Sequence, residues 1–558
     1  MRFGILCNGP YFQQWQLDSV RLLVSAGHSC ALLIENANPV PVQGFRDKLI
    51  QYPYSKLFYR LWFRFLMKPE AKKDAGFAAV LTGIPGISCF TTRRGFSDYL
   101  SEADVDTIRS YELDFILRYG FGILKGGILD AAKYGVWSYH HDDERKYRGV
   151  PTGFWEIMFG DPVNAAILQR LTSKLDSGVI LHKGWFATIN HSWEANLNKL
   201  LLSTTEWPLQ VCRKIESGNT EFLKVTNSPG PAIYRLPGNL KMLRFFLQLS
   251  YNKLRFHYRD LFLTEKWNVG IIPLPVEKLL LKGEFTIPEP QWLNIRSEKS
   301  MYHADSFSLV KDGLIHILCE EYNYRSARGF IISLQLDRHT FRIVSKTTAL
   351  EKEYHLAYPF LFESEGSYFC IPENSAGGDT DLYRYDTSQG KLIFEQTLIS
   401  GMRAVDPSLF YYEGKWWLFF TDKISTNERL HIWYAENMRG PYLSHANNPV
   451  KIDIRSARPG GNLFVSGGKL FRPAQDCSER SGRRICINQV LKLSTTDFVE
   501  EEFTILNPAT GSRYPDGMHT FSVTDGVVVV DGKRECFIWA AFAGKLSKKS
   551  VKLFKGRI

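Results

Sequence analysis

The run Tyr134-Gly135-Val136-Trp137-Ser138-Tyr139-His140-His141 decides how the first part of this 558-residue chain folds. It continues through Lys146-Tyr147-Arg148-Gly149, Gly153-Phe154-Trp155-Glu156 and Leu175-Asp176-Ser177-Gly178-Val179-Ile180-Leu181. An apolar strand ends in a polar residue and a histidine; a basic loop, a helix, another strand and an Asp-Ser-Gly turn follow. Upstream, Arg2 to Cys7 reads as a first strand, Leu17 to Ala26 as a helix closed by Gly27, and Ser29 to Ile34 as a second strand. Phe115 to Tyr119 reads as a later, buried strand. Strands separated by helices at this spacing predict a Rossmann-like α/β domain on a parallel sheet, whose ligands gather at the carboxyl ends of the strands. Chemistry is therefore expected just after Tyr119 and just after Trp137.

Composition sets the bounds. A hydrophobic content of 44% describes a core-forming chain, and at roughly 100–200 residues per domain the length predicts two to four domains. The net charge of +11 is spread over the whole chain with no long Lys/Arg block, so nucleic acid is not an expected partner. Nine cysteines without a CxxC indicate neither a disulfide framework nor a zinc site, and no metal is expected. The opening residues lack a signal peptide's pattern and no segment is long and apolar enough to span a membrane, which predicts a cytoplasmic protein. Phe45 to Lys73 and Leu240 to Arg259 interleave aromatic, aliphatic and basic residues. They read either as helices packed on the core or as weak membrane-surface contacts. Oligomeric state is not legible.

The central run resembles the formyltransferase family, whose members use 10-formyltetrahydrofolate and include glycinamide ribonucleotide transformylase, methionyl-tRNA formyltransferase and the sugar N-formyltransferases. The family's Asn-Ile-His, Tyr-Arg-Gly and Asp-x-Gly segments align with Ser138-Tyr139-His140, Tyr147-Arg148-Gly149 and Asp176-Ser177-Gly178, over roughly the first 215 residues. The resemblance implies His140 as acid/base, Asp176 as its orienting carboxylate and Ser138 as the oxyanion-side donor. Ser138 stands where the family has Asn, and a hydroxyl donates one hydrogen bond from a shorter arm. A histidine near its ordinary pKa can carry the proton an attacking amine must lose. A carboxylate beside it holds the tautomer.

Further positions follow from the same resemblance. Leu117, Arg118, Tyr119, Gly120 and Asp176 are expected to line the site of the formyl donor, with Arg118 meeting the folate tail or pairing with Asp114. Lys146, Tyr147, Arg148 and Asn8 are expected around the acceptor; Lys146 and Arg148 suit a sugar phosphate. His141 is expected to face away. Asp142, Asp143 and Glu144 read as a solvated turn or as a contact for an amino group.

Beyond Trp267 the texture becomes β-rich. Gly313, Gly366, Gly414, Gly468 and Gly526 each mark a turn between apolar strands. A hairpin recurring at roughly 40–50 residues or a little more is a propeller-blade period, and five copies predict an all-β, five-bladed propeller over 267–558. Residues 216–266 read as a basic linker and docking segment. This half resembles arabinanase- and xylosidase-type propellers, and still more the N-terminal region of glucosamine inositolphosphorylceramide transferases. Asp305, His355, Glu373, Asp406, Arg458 and His519 are expected to converge on one pocket. The function expected is formyl transfer to the amine of an amino sugar, nucleotide-linked, in surface polysaccharide or glycolipid synthesis, with the propeller binding sugar or glycan. The alternative is a glycoside hydrolase or glycan-binding protein that acts through the propeller and carries a silent first domain.

Overall fold

A computed structural model describes residues 1–9, 11–38, 54–76, 78–173, 178–224 and 233–555, the side chains of 78, 79 and 548–555 excepted. The chain divides into two compact units, Met1–Leu254 and Arg255–Ile558.

The first unit is built on a seven-stranded sheet. Its strands are β1 (Arg2–Cys7), β2 (Ser29–Asn36), β3 (Gly86–Cys89), β4 (Phe115–Arg118), β5 (Val136–His140), β6 (Val163–Arg170) and β7 (Val179–Ala187). They lie side by side in the order β7-β6-β5-β4-β1-β2-β3. The five from β5 to β3 are parallel, whereas β6 runs antiparallel to both β5 and β7. The expected all-parallel sheet is thus corrected to a mixed one. The short α-helix before β6 (Trp155–Phe159) ends in a left-handed Gly160, and the chain reverses there instead of crossing over.

Strands β1, β4 and β5 are apolar because the sheet's centre is covered on both faces. Phe3, Ile5, Leu6, Phe115, Ile116, Leu117, Val136 and Trp137 are fully buried. Phe115 stacks between Phe3 and Trp137, with centroids 5.4 and 3.9 Å away. Helix α1 (Gln14–Ser25) starts earlier than the hydrophobic pattern predicts because Gln13 and Gln16 close a reciprocal capping box. Its buried face carries Trp15, Leu17, Val20 and Leu23. The segment expected to be a linker holds α2 (Asn239–Phe262), a 24-residue helix, and the start of a strand at Thr264. Its Pro229-Gly230-Pro231 lies outside the described residues. Leu57–Phe65 is also helical and packs against α2 within the first unit: Trp62 stacks on Phe246 at 5.1 Å.

The second unit contains five sheets of four or five strands among the described residues. Each of the five turn glycines falls between two paired strands that follow one another in the chain: Gly313 in the first sheet, Gly366 in the second, Gly414 in the third, Gly468 in the fourth and Gly526 in the fifth. The fifth sheet joins both ends of the unit, since Thr264–Ile272 pairs antiparallel with Val528–Cys536 in nine consecutive positions. Gly283–Thr286 likewise completes the fourth sheet, running parallel to Phe498–Asn507. The unit is not all-β, because it ends in the helix Trp539–Lys555. Strands from the start of the unit thus share sheets with strands from its end. Ile271, fully buried on the joining strand, is expected to cost about 2–5 kcal/mol when cut to Ala. Equilibrium urea unfolding measures this, and an unchanged midpoint would mean that the strand does not hold the unit together.

Candidate functional site

His140 is the last residue of β5, at the carboxyl end of the parallel strands. Burial lowers its pKa, opposed by a hydrogen bond to the Tyr147 backbone and by the Glu144 carboxylate. The ring is therefore neutral at pH 7. Its Nε2 is buried and has no hydrogen-bond partner among the described residues.

Ser138, two residues earlier on the same strand, is buried. Its Oγ accepts a 3.0 Å hydrogen bond from Arg118 Nε, across the pairing of β4 with β5. With its oxygen engaged as an acceptor, the serine retains its own hydrogen for donation. Arg118 Nη1 donates to the carbonyls of Phe121 and Gly122 at 3.3 and 2.8 Å, so the guanidinium is held in place. Arg118 does not pair with Asp114, whose carboxylate accepts from the Arg2 backbone N–H at 2.7 Å. Gly120 belongs to the same turn: a Cβ there would lie 2.5 Å from the Cys7 backbone, so only glycine lets the chain pass the end of β1.

Asp176 lies outside the described residues. Several other expected site residues are committed to the framework. Leu117 is fully buried between the sheet's layers and cannot line a ligand site. Tyr119 packs edge-on against Trp15 at 5.6 Å, inside an aromatic cluster with Tyr139. Asn8 Oδ1 accepts the Phe121 N–H at 2.9 Å and shapes the turn. Lys146 Nζ donates to Asp161 at 2.8 Å, and Tyr147 sits in the core beside it. Arg148 begins a short pairing with Ile233. His141 does face away from the site: its Nε2 meets Thr204 Oγ1 at 2.9 Å, and burial pulls its pKa down to about 3.

The acidic loop is corrected most. Asp142, Asp143 and Glu144 are all buried. Lys183 Nζ on β7 reaches both Glu144 oxygens at 2.7 and 2.8 Å, so the amino group they meet belongs to the protein. Asp142 accepts the Gly153 N–H at 2.8 Å and shares its burial with Glu156. Desolvation first, and then their mutual repulsion, drives Asp142 upward; Glu156 is pushed up to about 8 chiefly by burial. Glu156 was not legible as a site residue, because Trp155-Glu156-Ile157 reads as a helix turn with its acid in water.

In the second unit the structure brings the expected residues into two clusters. Asp305 lies 3.6 Å from His519 Nε2, and His519 Nδ1 is 2.5 Å from Asp531. Burial alone would lower His519, but the carboxylates of Asp531 and Asp305 outweigh it and raise its pKa. Trp267 stacks on the imidazole at 3.8 Å. Asp305, His519 and Asp531 offer ligand atoms within 4.8 Å of one another, as a cation would require, but those atoms already engage one another.

Asp406 accepts from Arg458 Nε and Gln475 Nε2, both at 2.6 Å. Burial lifts it to about 6 despite the guanidinium. Glu373 Oε2 accepts the Asp406 N–H at 3.4 Å. His355 stands 3.7 Å from Glu320, a buried acid driven well upward by desolvation and by Asp305, Glu373 and Asp406. Glu320 and Asp531 were missed because each lies inside an apolar strand run. Asp305, Tyr358 and Asp406 share one conformation: each is left-handed, with φ of 55°, 42° and 52°, at a bulge in the first strand of its sheet. Each also lies eight residues before the hairpin glycine of its sheet. Such backbones cost of order 1–3 kcal/mol apiece and cluster at sites where side chains must be aimed.

Residues 293–525 match the family model described as Glucosamine inositolphosphorylceramide transferase 1, N-terminal. Over 209 residues the chain is 33% identical to Glucosamine inositolphosphorylceramide transferase 1 of Oryza sativa subsp. japonica, covering 36% of this chain and 28% of that protein. It therefore spans little more than a quarter of that relative's length. Methionyl-tRNA formyltransferase of Agathobacter rectalis is 26% identical over 122 residues, 22% of this chain and 39% of that protein. Among solved structures, Zg3597, a family 117 glycoside hydrolase of Zobellia galactanivorans, superposes with a TM-score of 0.31 at 12% identity over 49% of this chain and 91% of that one.

The raised Glu156 has a sign that can be checked. A carboxyl whose folded pKa is about 8, against an ordinary 4.5, binds more protons folded than unfolded between those values. Its contribution to stability is complete below pH 4.5 and is lost as pH rises through 8. Glu156→Gln is expected to remove that part of the decline, which urea unfolding of both proteins at pH 5 and pH 8.5 measures. Parallel stability–pH curves for the two would refute the buried protonated acid.

Proposed function

We propose that the first unit transfers a formyl group from 10-formyltetrahydrofolate to the amine of an amino sugar, nucleotide-linked, on the way to a surface polysaccharide or glycolipid. The observation that carries this reading is the buried Nε2 of His140, which has no hydrogen-bond partner among the described residues. Burying a nitrogen acceptor without a hydrogen bond is unfavourable, so the position is built for a donor that arrives with a ligand. The similarity over 122 residues to a formyltransferase supports the same chemistry.

The residues present fit such a donor and acceptor. 10-Formyltetrahydrofolate would supply the one-carbon unit at the formyl oxidation level. His140, neutral at pH 7, would accept through Nε2 the proton that the amine loses as its nitrogen bonds to the formyl carbon, and would return it to the folate nitrogen as the bond from that nitrogen to the carbon breaks. A hydrogen bond with the Tyr147 backbone steadies the ring. Ser138 turns its hydrogen toward the oxygen that gains charge, and Arg118 polarises that hydroxyl from behind through its 3.0 Å bond. Serine alone is a weaker donor than the amide the formyltransferase family carries here; a guanidinium bonded to its oxygen makes it a stronger one. Asp176 is proposed as the carboxylate that stabilises the imidazolium once formed.

For the second unit we propose closure into a five-bladed propeller whose centre binds sugar or glycan. Hydrogen bonds between the first strands of successive sheets support closure. Tyr358 N–H donates to Asp305 at 3.2 Å, Tyr358 Oη lies 3.0 Å from Ser408 Oγ, and Ser308 N–H donates to Ser522 Oγ at 3.1 Å. Binding is favoured over hydrolysis because Asp406 is already saturated by Arg458 and Gln475, and a general acid must be free to give up a proton.

His140→Asn is expected to lower formyl transfer by about 10²–10⁴-fold, and Arg118→Met by about 10²-fold or less. Both are read as formate incorporated into a panel of amino-sugar nucleotides. Asp305→Asn is expected to leave that transfer unchanged while weakening sugar binding by calorimetry. Full transfer by His140→Asn would end the proposal for the first unit, and transfer abolished by Asp305→Asn would move the chemistry to the second.

A further inference from the structure

The helix Leu57–Phe65 and the part of α2 that belongs to the first unit, residues 239–254, turn apolar side chains into solvent beside basic ones. In α2 the core-facing residues are Met242 and Phe245, with Phe246 and Leu249 packed beside them. At 3.6 residues per turn, Leu240, Leu243, Leu247, Tyr251 and Leu254 fall on the opposite side. All five are exposed, Leu240 to 82% and Leu247 to 67%. The helix Leu57–Phe65 leans on α2 through Trp62 and through the Phe58 N–H, which donates to Asn239 Oδ1 at 3.1 Å. It presents its own exposed stripe, Leu57, Phe58, Leu61 and Phe65. An apolar stripe doubled across two touching helices is far more than the scattered exposed leucine of an ordinary surface.

The charges say what covers it. Neither Leu57 to Lys68 nor Leu240 to Arg259 contains an acid, while Arg64 and Arg244 flank the two stripes and, like Lys68, Lys241 and Lys253 nearby, are exposed. A second copy of this chain docking face to face would bring these like charges together as the leucines met, which is unfavourable. A neutral apolar partner would leave them unmatched. An anionic lipid surface satisfies both features: the leucine and phenylalanine stripe enters the boundary of headgroup and acyl chain, and the lysines and arginines meet phosphates.

We propose that the exposed face formed by Leu57–Phe65 and α2 docks the first unit on the surface of an anionic bilayer, without crossing it. Among the described residues no helix is long and apolar enough to cross a membrane, so the contact is interfacial.

Flotation of the full chain with vesicles of phosphatidylcholine alone, or carrying phosphatidylglycerol, tests this. Binding is expected only with phosphatidylglycerol and is expected to weaken as salt rises, since exposed charges are screened. Arg64→Gln with Arg244→Gln is expected to weaken partitioning roughly thirtyfold. Leu243→Glu with Leu247→Glu is expected to abolish it, with circular dichroism and melting temperature unchanged because these side chains face water. Equal binding to both vesicle types, no binding to either, or a dimer in solution that Leu247→Glu dissociates would each overturn the proposal. Formyl transfer to a soluble sugar nucleotide is read on the same variants and is expected to be unaffected, so failure here is distinct from failure of the His140 chemistry.

Discussion

One hydrogen-bonding position, Nε2 of His140, is unfilled among the described residues and constrains what surrounds it in the first unit. The nitrogen is out of water, its ring is neutral, and the Tyr147 backbone hydrogen-bonds to that ring. For that tie to hold, the loop after β5 must fold back over the strand end. The loop does so by burying its acids against Lys183 and by pinning Asp142 to the Gly153 N–H. Two residues before it on the same strand, Ser138 pairs with Arg118 across β4 and β5 and is locked to it by a 3.0 Å hydrogen bond. The mixed sheet belongs to the same arrangement: β6 turns back antiparallel beside β5, pairing Ile167 with His140 and walling the histidine on one side.

In the second unit the corresponding constraint is backbone strain. Left-handed conformations at Asp305, Tyr358 and Asp406 bulge three first strands at one register position. The aspartates tolerate this better than the tyrosine does. All three are held because their polar atoms bond to neighbouring sheets: Asp305 to the Tyr358 N–H, Tyr358 to Ser408 and Gly461, and Asp406 to Arg458. The strain therefore lines up with the buried polar network.

Both units bury acids in quantity but neutralise them differently. In the first, Glu144 takes a lysine, while Asp142 and Glu156, facing each other without a cation, are driven toward protonation. In the second, Asp406 has an arginine and Asp531 a histidine, yet Glu320 has only a distant imidazole and is pushed well upward.

The sequence alone determined the alternation of strands and helices before residue 215 and the hairpin spacing after 267, because both depend on local periodicity and on turn residues. It also marked His140 as the end of a buried strand and His141 as turned away, since side chains alternate along a strand. Only the tertiary structure decided the direction of β6, which depends on which strand receives it, and the partnership of Arg118 with Ser138, which are twenty residues apart and meet only through strand register. The same holds for the acids. A run such as Asp142-Asp143-Glu144 looks solvated until Lys183 folds over it, and Glu156, Glu320 and Asp531 look like ordinary strand or helix residues until other elements bury them. Burial and charge pairing over long separations are properties of the packed chain, and no local pattern of residues encodes them.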